Sequence, residues 1–146
     1  MDDPYRLRRF EHAQDEGDTY GAAVAQLRRG HKTGHWMWFI FPQIAGLGRS
    51  SMSETYAIAS LAEARAYLAD PVLGARLIEC TRILTELTGA TARDVFGPID
   101  AIKLRSSMTL FARAAPENPL FAEVLDRYFD GVADEATDSR LEPRAQ

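Results

Sequence analysis

Asp70-Pro71-Val72-Leu73-Gly74-Ala75-Arg76-Leu77-Ile78-Glu79-Cys80-Thr81-Arg82-Ile83-Leu84-Thr85-Glu86-Leu87-Thr88-Gly89 is the stretch on which the fold class turns. Asp70 is a good helix cap, and Pro71 suits the first helical position because its missing N–H would have no intrahelical partner there. Val72, Leu73, Leu77, Cys80, Leu84 and Leu87 then recur at helical spacing until Gly89, a natural stop. The stretch therefore reads as an amphipathic helix from about 71 to 88.

The same punctuation extends in both directions. Upstream, Ser60-Leu61-Ala62-Glu63 has the capping-box pattern, and Leu61, Ala64 and Leu68 continue an apolar face to about Ala69. Further back, Tyr20, Ala23, Val24 and Leu27 follow Asp18-Thr19 and precede Gly30, predicting a helix over 19–29. Downstream, Thr91-Ala92-Arg93-Asp94 starts a helix that Gly97-Pro98 stops after barely two turns, and another should run from about Ile99 to Arg113. Asn118-Pro119 repeats the cap-plus-proline signal before the stripe of Leu120, Phe121, Val124, Leu125, Tyr128 and Phe129, which ends at Gly131. No segment alternates apolar and polar residues over strand length. The expectation is a mainly α fold: a compact single-domain bundle of about six or seven short helices over residues 1–131, with little or no sheet. Residues 132–146 lack large apolar groups in number and read as a flexible polar C-terminal tail.

Composition narrows the class. A chain of 146 residues, 46% apolar, is the size of one domain. Lys and Arg number 17 against 21 for Asp and Glu, so a net charge of -4 exerts no general pull on nucleic acid or anionic lipid, and neither is expected as a partner. One cysteine, Cys80, forms no internal disulfide and fits a reducing compartment. The longest apolar run, Trp36 to Phe41, is far short of the roughly 20 residues that cross a bilayer. The opening Met1-Asp2-Asp3-Pro4 has no secretory-signal pattern, so a cytoplasmic location is expected. The sequence leaves the oligomeric state and enzymatic activity open.

Three constellations can carry chemistry. In the first, His31-Lys32-Thr33-Gly34-His35-Trp36-Met37-Trp38-Phe39-Ile40-Phe41-Pro42-Gln43, both tryptophans stand among two histidines, a lysine and a glutamine. Either the rings are core, with His35 and Gln43 tying off backbone groups, or Trp36 or Trp38 forms a stacking wall with His35 and Gln43 as directional contacts. An exposed aromatic patch for a protein partner is the alternative from a different class. His31 and His35 share a helical face, but nothing nearby completes a metal shell, so neither a metal nor a cofactor is expected. In the second constellation, Lys103, Arg105, Ser106, Ser107 and Thr109 place two cations and three hydroxyls within seven residues of a predicted helix. They suit a phosphate or carboxylate, or else form a solvated face whose hydroxyls bond back to carbonyls one turn earlier. In the third, Gly46-Leu47-Gly48-Arg49-Ser50-Ser51 is a loop without phosphate-loop spacing, whose Arg49 can line a ligand mouth with Ser50, Ser51 and Ser53; Tyr56 is a further ligand-binding candidate.

Phe10-Glu11-His12-Ala13-Gln14, His35-Trp36-Met37-Trp38-Phe39-Ile40-Phe41-Pro42-Gln43, Gly46-Leu47-Gly48, Glu63-Ala64-Arg65-Ala66-Tyr67-Leu68 and Lys103-Leu104-Arg105-Ser106-Ser107-Met108-Thr109-Leu110-Phe111 together resemble the bacterial family known as domain of unknown function 1810. The match covers about residues 4–131. It implies a compact helical domain and no activity. Asp70 stands where that pattern often has histidine. A fainter similarity, in the order of the segments alone, is to the NADAR family of helical enzymes, which cleave N-glycosidic bonds in ADP-ribose-related substrates. That resemblance implies a nucleotide-sized pocket with a tryptophan wall, Lys103 and Arg105 near phosphate, and Glu54, Glu63 or Asp100 assisting bond cleavage. The expectation taken forward is a small-ligand domain, nucleotide-like or ADP-ribose-like in its ligand, with its pocket between segment 31–53 and the 100–111 helix.

Overall fold

The computed structural model describes residues 3–141, and its regular structure is helical throughout. In chain order the helices are α1 (Arg8–Asp15), α2 (Thr19–Arg29), α3 (Met37–Ile40), α4 (Ser51–Thr55), α5 (Leu61–Ala69), α6 (Leu73–Glu86), α7 (Ala92–Ala114), α8 (Leu120–Phe129) and α9 (Glu135–Leu141). These are more numerous than expected because α1, α3, α4 and α9 are short pieces of four to eight residues. The only strand-like pairing among the described residues is an isolated parallel bridge between Ile44 and Ile58. Ala45 N–H donates to the Ile58 carbonyl at 2.8 Å and Ile58 N–H to the Gln43 carbonyl at 2.9 Å, which fixes the loop after α3. No described helix is long and apolar enough to cross a membrane.

The caps act much as their residue types predict, with local differences. Asp70 Oδ2 accepts from Val72 and Leu73 N–H at 3.1 and 2.9 Å, so α6 begins two residues after the proline. Thr91 and Asp94 complete a reciprocal capping box at 3.0 Å each way. Hydrogen bonding from Thr91, chiefly from its amide, holds the Asp94 carboxyl below its usual range. Ser60 Oγ accepts from Glu63 N–H at 3.1 Å, but Glu63 Oε1 reaches one residue further back, to Ala59 N–H at 2.9 Å. Its other oxygen pairs with Arg9 at 3.1 Å, so a residue expected only as a cap also anchors a nearly buried ion pair.

α5 and α6 pack against α7 and α8, and a chain of aromatic rings runs through the contact. Phe10 meets Tyr67 at 5.1 Å, Tyr67 meets Phe111 at 5.5 Å, and Phe111 meets Phe121 at 5.8 Å, all within ordinary aromatic-pair distances. Burial pushes the Cys80 thiol up to about 12, which marks it as an inert core residue.

Two features place the site. Gly97 sits at φ 79°, ψ 168° inside α7, breaking it into two segments; a Cβ there would meet nothing within 4 Å, so glycine is needed for its backbone angle and not for space. The break swings Pro98, Ile99 and Asp100 toward the aromatic segment. The second feature corrects the expected tail: residues 132–141 pack on the body, while 142–146 lie outside the described residues. Arg105 donates to the Val132 and Ala133 carbonyls at 2.8 and 3.1 Å, and Thr109 Oγ1 accepts from Asp134 N–H at 2.8 Å. Arg113 grips Asp138 with two bonds of 2.8 and 2.9 Å, and Thr137 is fully buried. The stretch is polar because α7 supplies hydrogen-bonding partners to meet it, so a search for apolar residues does not find its anchor.

Candidate functional site

Two clefts of about 290 Å³ each meet at Ile99, on the rim made by the α7 break. The first is walled by Trp38, His35, Lys32 and Asp100, with Phe96 and Pro98 closing its apolar side. The second holds Gln43, Lys103, Ser106 and Asp134 among Leu47, Gly48, Ile102 and Ala136.

The electrostatic centre of the pair is Asp100. Its Oδ2 pairs with Lys32 Nζ at 2.8 Å and its Oδ1 with Lys103 Nζ at 3.5 Å, so one carboxylate serves two ammonium groups. Lys32 is the structural partner: its side chain is 8% exposed, it also bonds the Gly34 carbonyl, and its ammonium lies 4.9 Å from the Trp36 ring centroid. Lys103 is held more loosely. It sits 4.9 Å from the Trp38 centroid, within cation–π range, and makes no hydrogen bond to any described residue. The Trp38 indole N–H is buried without an acceptor among the described residues, the kind of buried polar group that structures ordinarily satisfy.

The expected site residues separate into those that face the clefts and those that do not. Lys32, His35, Trp38, Gln43, Lys103 and Ser106 line one cleft or the other. Trp36 is 1% exposed, and its indole N–H donates to Gln26 Oε1 at 2.9 Å, which makes it a core residue. His31, Arg49 and Ser50 are exposed outside both clefts, and Ser50 caps α4 by accepting from Ser53 N–H at 3.1 Å. Tyr56 packs between Phe10 and Phe39. Arg105 is committed to the carbonyls that start the C-terminal segment, which takes it away from any ligand phosphate. Ser106 and Thr109 bond back to the Ile102 and Arg105 carbonyls at 3.2 and 2.8 Å, the structural alternative for helix-internal hydroxyls. Ser107 is fully buried and its Oγ has no partner.

Two residues that organise the site, Gln26 and Asp134, escape a sequence reading, and a third, Asp100, is named by it without its lysine partners. Gln26 Oε1 accepts from Thr33 N–H, Gly34 N–H and Trp36 Nε1–H at 2.9–3.0 Å, so one carboxamide ties the whole turn before the aromatic segment to α2. Asp134 Oδ2 gathers Ser106 Oγ, Thr137 N–H and Thr137 Oγ1. Asp100 is a candidate acid in the sequence, but its closer partner Lys32 is remote along the chain and no local signal reveals that pairing.

Volume alone would direct attention elsewhere, since three other depressions are larger, one of about 450 Å³ and two of about 510 Å³ each. In the one beside the N-terminus, however, the polar groups are already committed. Asp3 accepts from Leu7 and Arg8 N–H, Arg8 joins Glu11 and Asp70, and Asp70 caps α6. The other of about 510 Å³ lies where Arg140 crosses the Gly46 backbone.

The helical architecture and the HWMWFIFPQ segment belong to a recognised class: the chain is a member of the protein family of unknown function DUF1810, whose model matches residues 4–141. Among solved structures it is similar to the conserved hypothetical protein Rv1873 from Mycobacterium tuberculosis, a crystal structure at 1.38 Å, with 47% identity and a TM-score of 0.92 over 95% of this chain and 98% of that one. No curated protein matches. Neither match is to the NADAR family. The family match extends ten residues past the expected domain end at 131, consistent with α9 being an integral part of the fold.

Proposed function

We propose that this protein binds a small ligand carrying a planar ring, of nucleotide-like or ADP-ribose-like character, in the paired clefts around Lys103. The observation that supports this most is the state of Trp38 and Lys103. The Trp38 ring walls one cleft and its buried N–H has no acceptor among the described residues, while Lys103, 4.9 Å from that ring, lines the other cleft with no hydrogen bond and only a 3.5 Å pairing with Asp100. Unspent polar groups beside apolar walls are what a ligand site offers and what a purely structural contact avoids.

The proposal stops at binding. Of the three acids that the NADAR resemblance points to, Asp100 is neutralised by two lysines, Glu63 is buried against Arg9, and Glu54 lies outside both clefts. A protein-interaction module using both tryptophans is less well supported, because Trp36 is buried and held by Gln26 and cannot meet a partner.

A thermal-shift panel of nucleosides, nucleotides and ADP-ribose tests the reading. A true ligand at 100 times its dissociation constant adds about 2.7 kcal/mol of stability. The gain should disappear in Lys103→Met and Trp38→Ala, whereas silence across the panel, or an identical gain in both variants, would overturn it.

A further inference from the structure

Each cleft is lined by one cation and one anion, but Lys32 and Asp100 of the first are joined at 2.8 Å, whereas Lys103 and Asp134 of the second are not paired with each other. Gln43, whose carboxamide both donates and accepts, lines the second cleft with them. Each of the three has bonding capacity left. Asp134 receives all its donors on Oδ2, leaving Oδ1 without a partner among the described residues. The Gln43 carboxamide makes no hydrogen bond there, since only its backbone carbonyl is used, and the Lys103 ammonium makes none either. The remaining wall is apolar: Ile99 and Ile102 are 70% and 64% exposed, unusual for residues of that type, and both lie along this cleft.

An anion fits this set poorly. A phosphate would meet a single lysine and a carboxylate oxygen together, and Arg105, the next cation along α7, is turned to the Val132 and Ala133 carbonyls. A ring of hydroxyls fits well. It needs donors and acceptors interleaved at low net charge, with an apolar surface for its C–H face. The volume of about 290 Å³ corresponds to about ten water-sized shares of space, adequate for one pentose.

Resting on the ligand reading above, we infer that the second cleft is a sugar seat: Gln43, Lys103 and Asp134 hold the hydroxyls of a pentose while Ile99 and Ile102 cover one of its faces, and the Trp38 cleft takes the attached ring. The ligand is then nucleoside-like, and any phosphate it bears projects away from this cleft.

The test is amide and side-chain NMR of the isotope-labelled full chain with four probes: D-ribose, inorganic phosphate, adenine and adenosine. D-ribose should shift the Gln43 side-chain amide and the Gly48 amide saturably, and phosphate should leave them in place. Gln43→Leu and Lys103→Met should each weaken D-ribose by about ten-fold, the worth of one good polar contact. Neither side chain makes a hydrogen bond to a described residue, so both variants should stay folded, with spectral changes in Lys103→Met confined to the neighbourhood of Asp100 and Trp38. Adenosine should bind tighter than either half. The inference is overturned if phosphate and not ribose moves these resonances, if neither does, or if both variants bind ribose as the parent does. Adenine separates the two levels: if it moves the Trp38 and His35 signals while ribose moves nothing, the ligand reading stands and the sugar seat falls. If adenine and adenosine are both silent, the ligand reading falls with it.

Discussion

Trp36 and Trp38 are two residues apart on one short helical turn, and they have opposite fates. Trp36 is 1% exposed, packs against Phe41 and Phe96 at 6.4 and 6.5 Å, and has its N–H satisfied by Gln26. Trp38 is half-buried, walls a cleft and has no acceptor for its N–H among the described residues. Each indole carries a lysine 4.9 Å away, but Lys32 is locked to Asp100 and the Gly34 carbonyl while Lys103 is nearly free. The comparison teaches that an aromatic residue's role is decided by whether its polar atom and its neighbouring charge are already spoken for, since ring area is common to both.

The most severe way to break the comparison is to truncate Trp36. Trp36→Ala should cost about 3–5 kcal/mol of unfolding free energy in a urea titration, with the clefts lost only through the fold. Removing the carboxamide that holds the ring comes next. Gln26→Leu leaves three donors without their acceptor and should cost about 1–3 kcal/mol in the same titration. At the other indole the order of effects reverses. Lys103→Met should change stability by no more than about 0.5 kcal/mol, because it makes no internal hydrogen bond and its pairing with Asp100 is long. It should nevertheless abolish the ligand-induced thermal shift. A large loss of stability in Lys103→Met would remove the contrast on which the site rests.

The smallest effect concerns the wall that the C-terminal segment adds to the second cleft. The Arg113 guanidinium, by direct hydrogen bonding, holds the Asp138 carboxyl below its usual range. A carboxyl lowered in the folded state contributes stability above its unfolded value near 3.8 and loses that contribution as the pH falls through the folded value. Protection of the α9 amides, taken relative to intrinsic exchange at each pH, should therefore fall below about pH 4 before that of the α5–α8 core, and by a modest factor because the pair is largely solvent-screened. Equal loss of protection in both regions would show that α9 opens only with the whole molecule.

Much of this architecture was legible because helix punctuation is local. A cap bonds to amides two or three residues ahead and a glycine adopts a left-handed angle where it stands, so Ser60, Asp70, Thr91, Asn118, Gly30 and Gly97 could each be interpreted from neighbours alone. The site was legible only as a set of residue types. His31, His35, Lys32 and both tryptophans were equal candidates in sequence, and so were the cations and hydroxyls of α7.

What the sequence by itself determined is the helical class, most helix ends, the core status of α6 and the membership of the aromatic motif, all properties of contacts spanning a few residues. Which indole is buried, which lysine is locked and whether a polar stretch docks were settled only by the tertiary structure. Gln26 reaching Trp36, Lys32 reaching Asp100, and α7 supplying Arg105, Thr109 and Arg113 to residues 132–138 are pairings across the fold. A polar side chain's energy depends on whether a partner replaces the water it loses, and that partner is named by three-dimensional proximity.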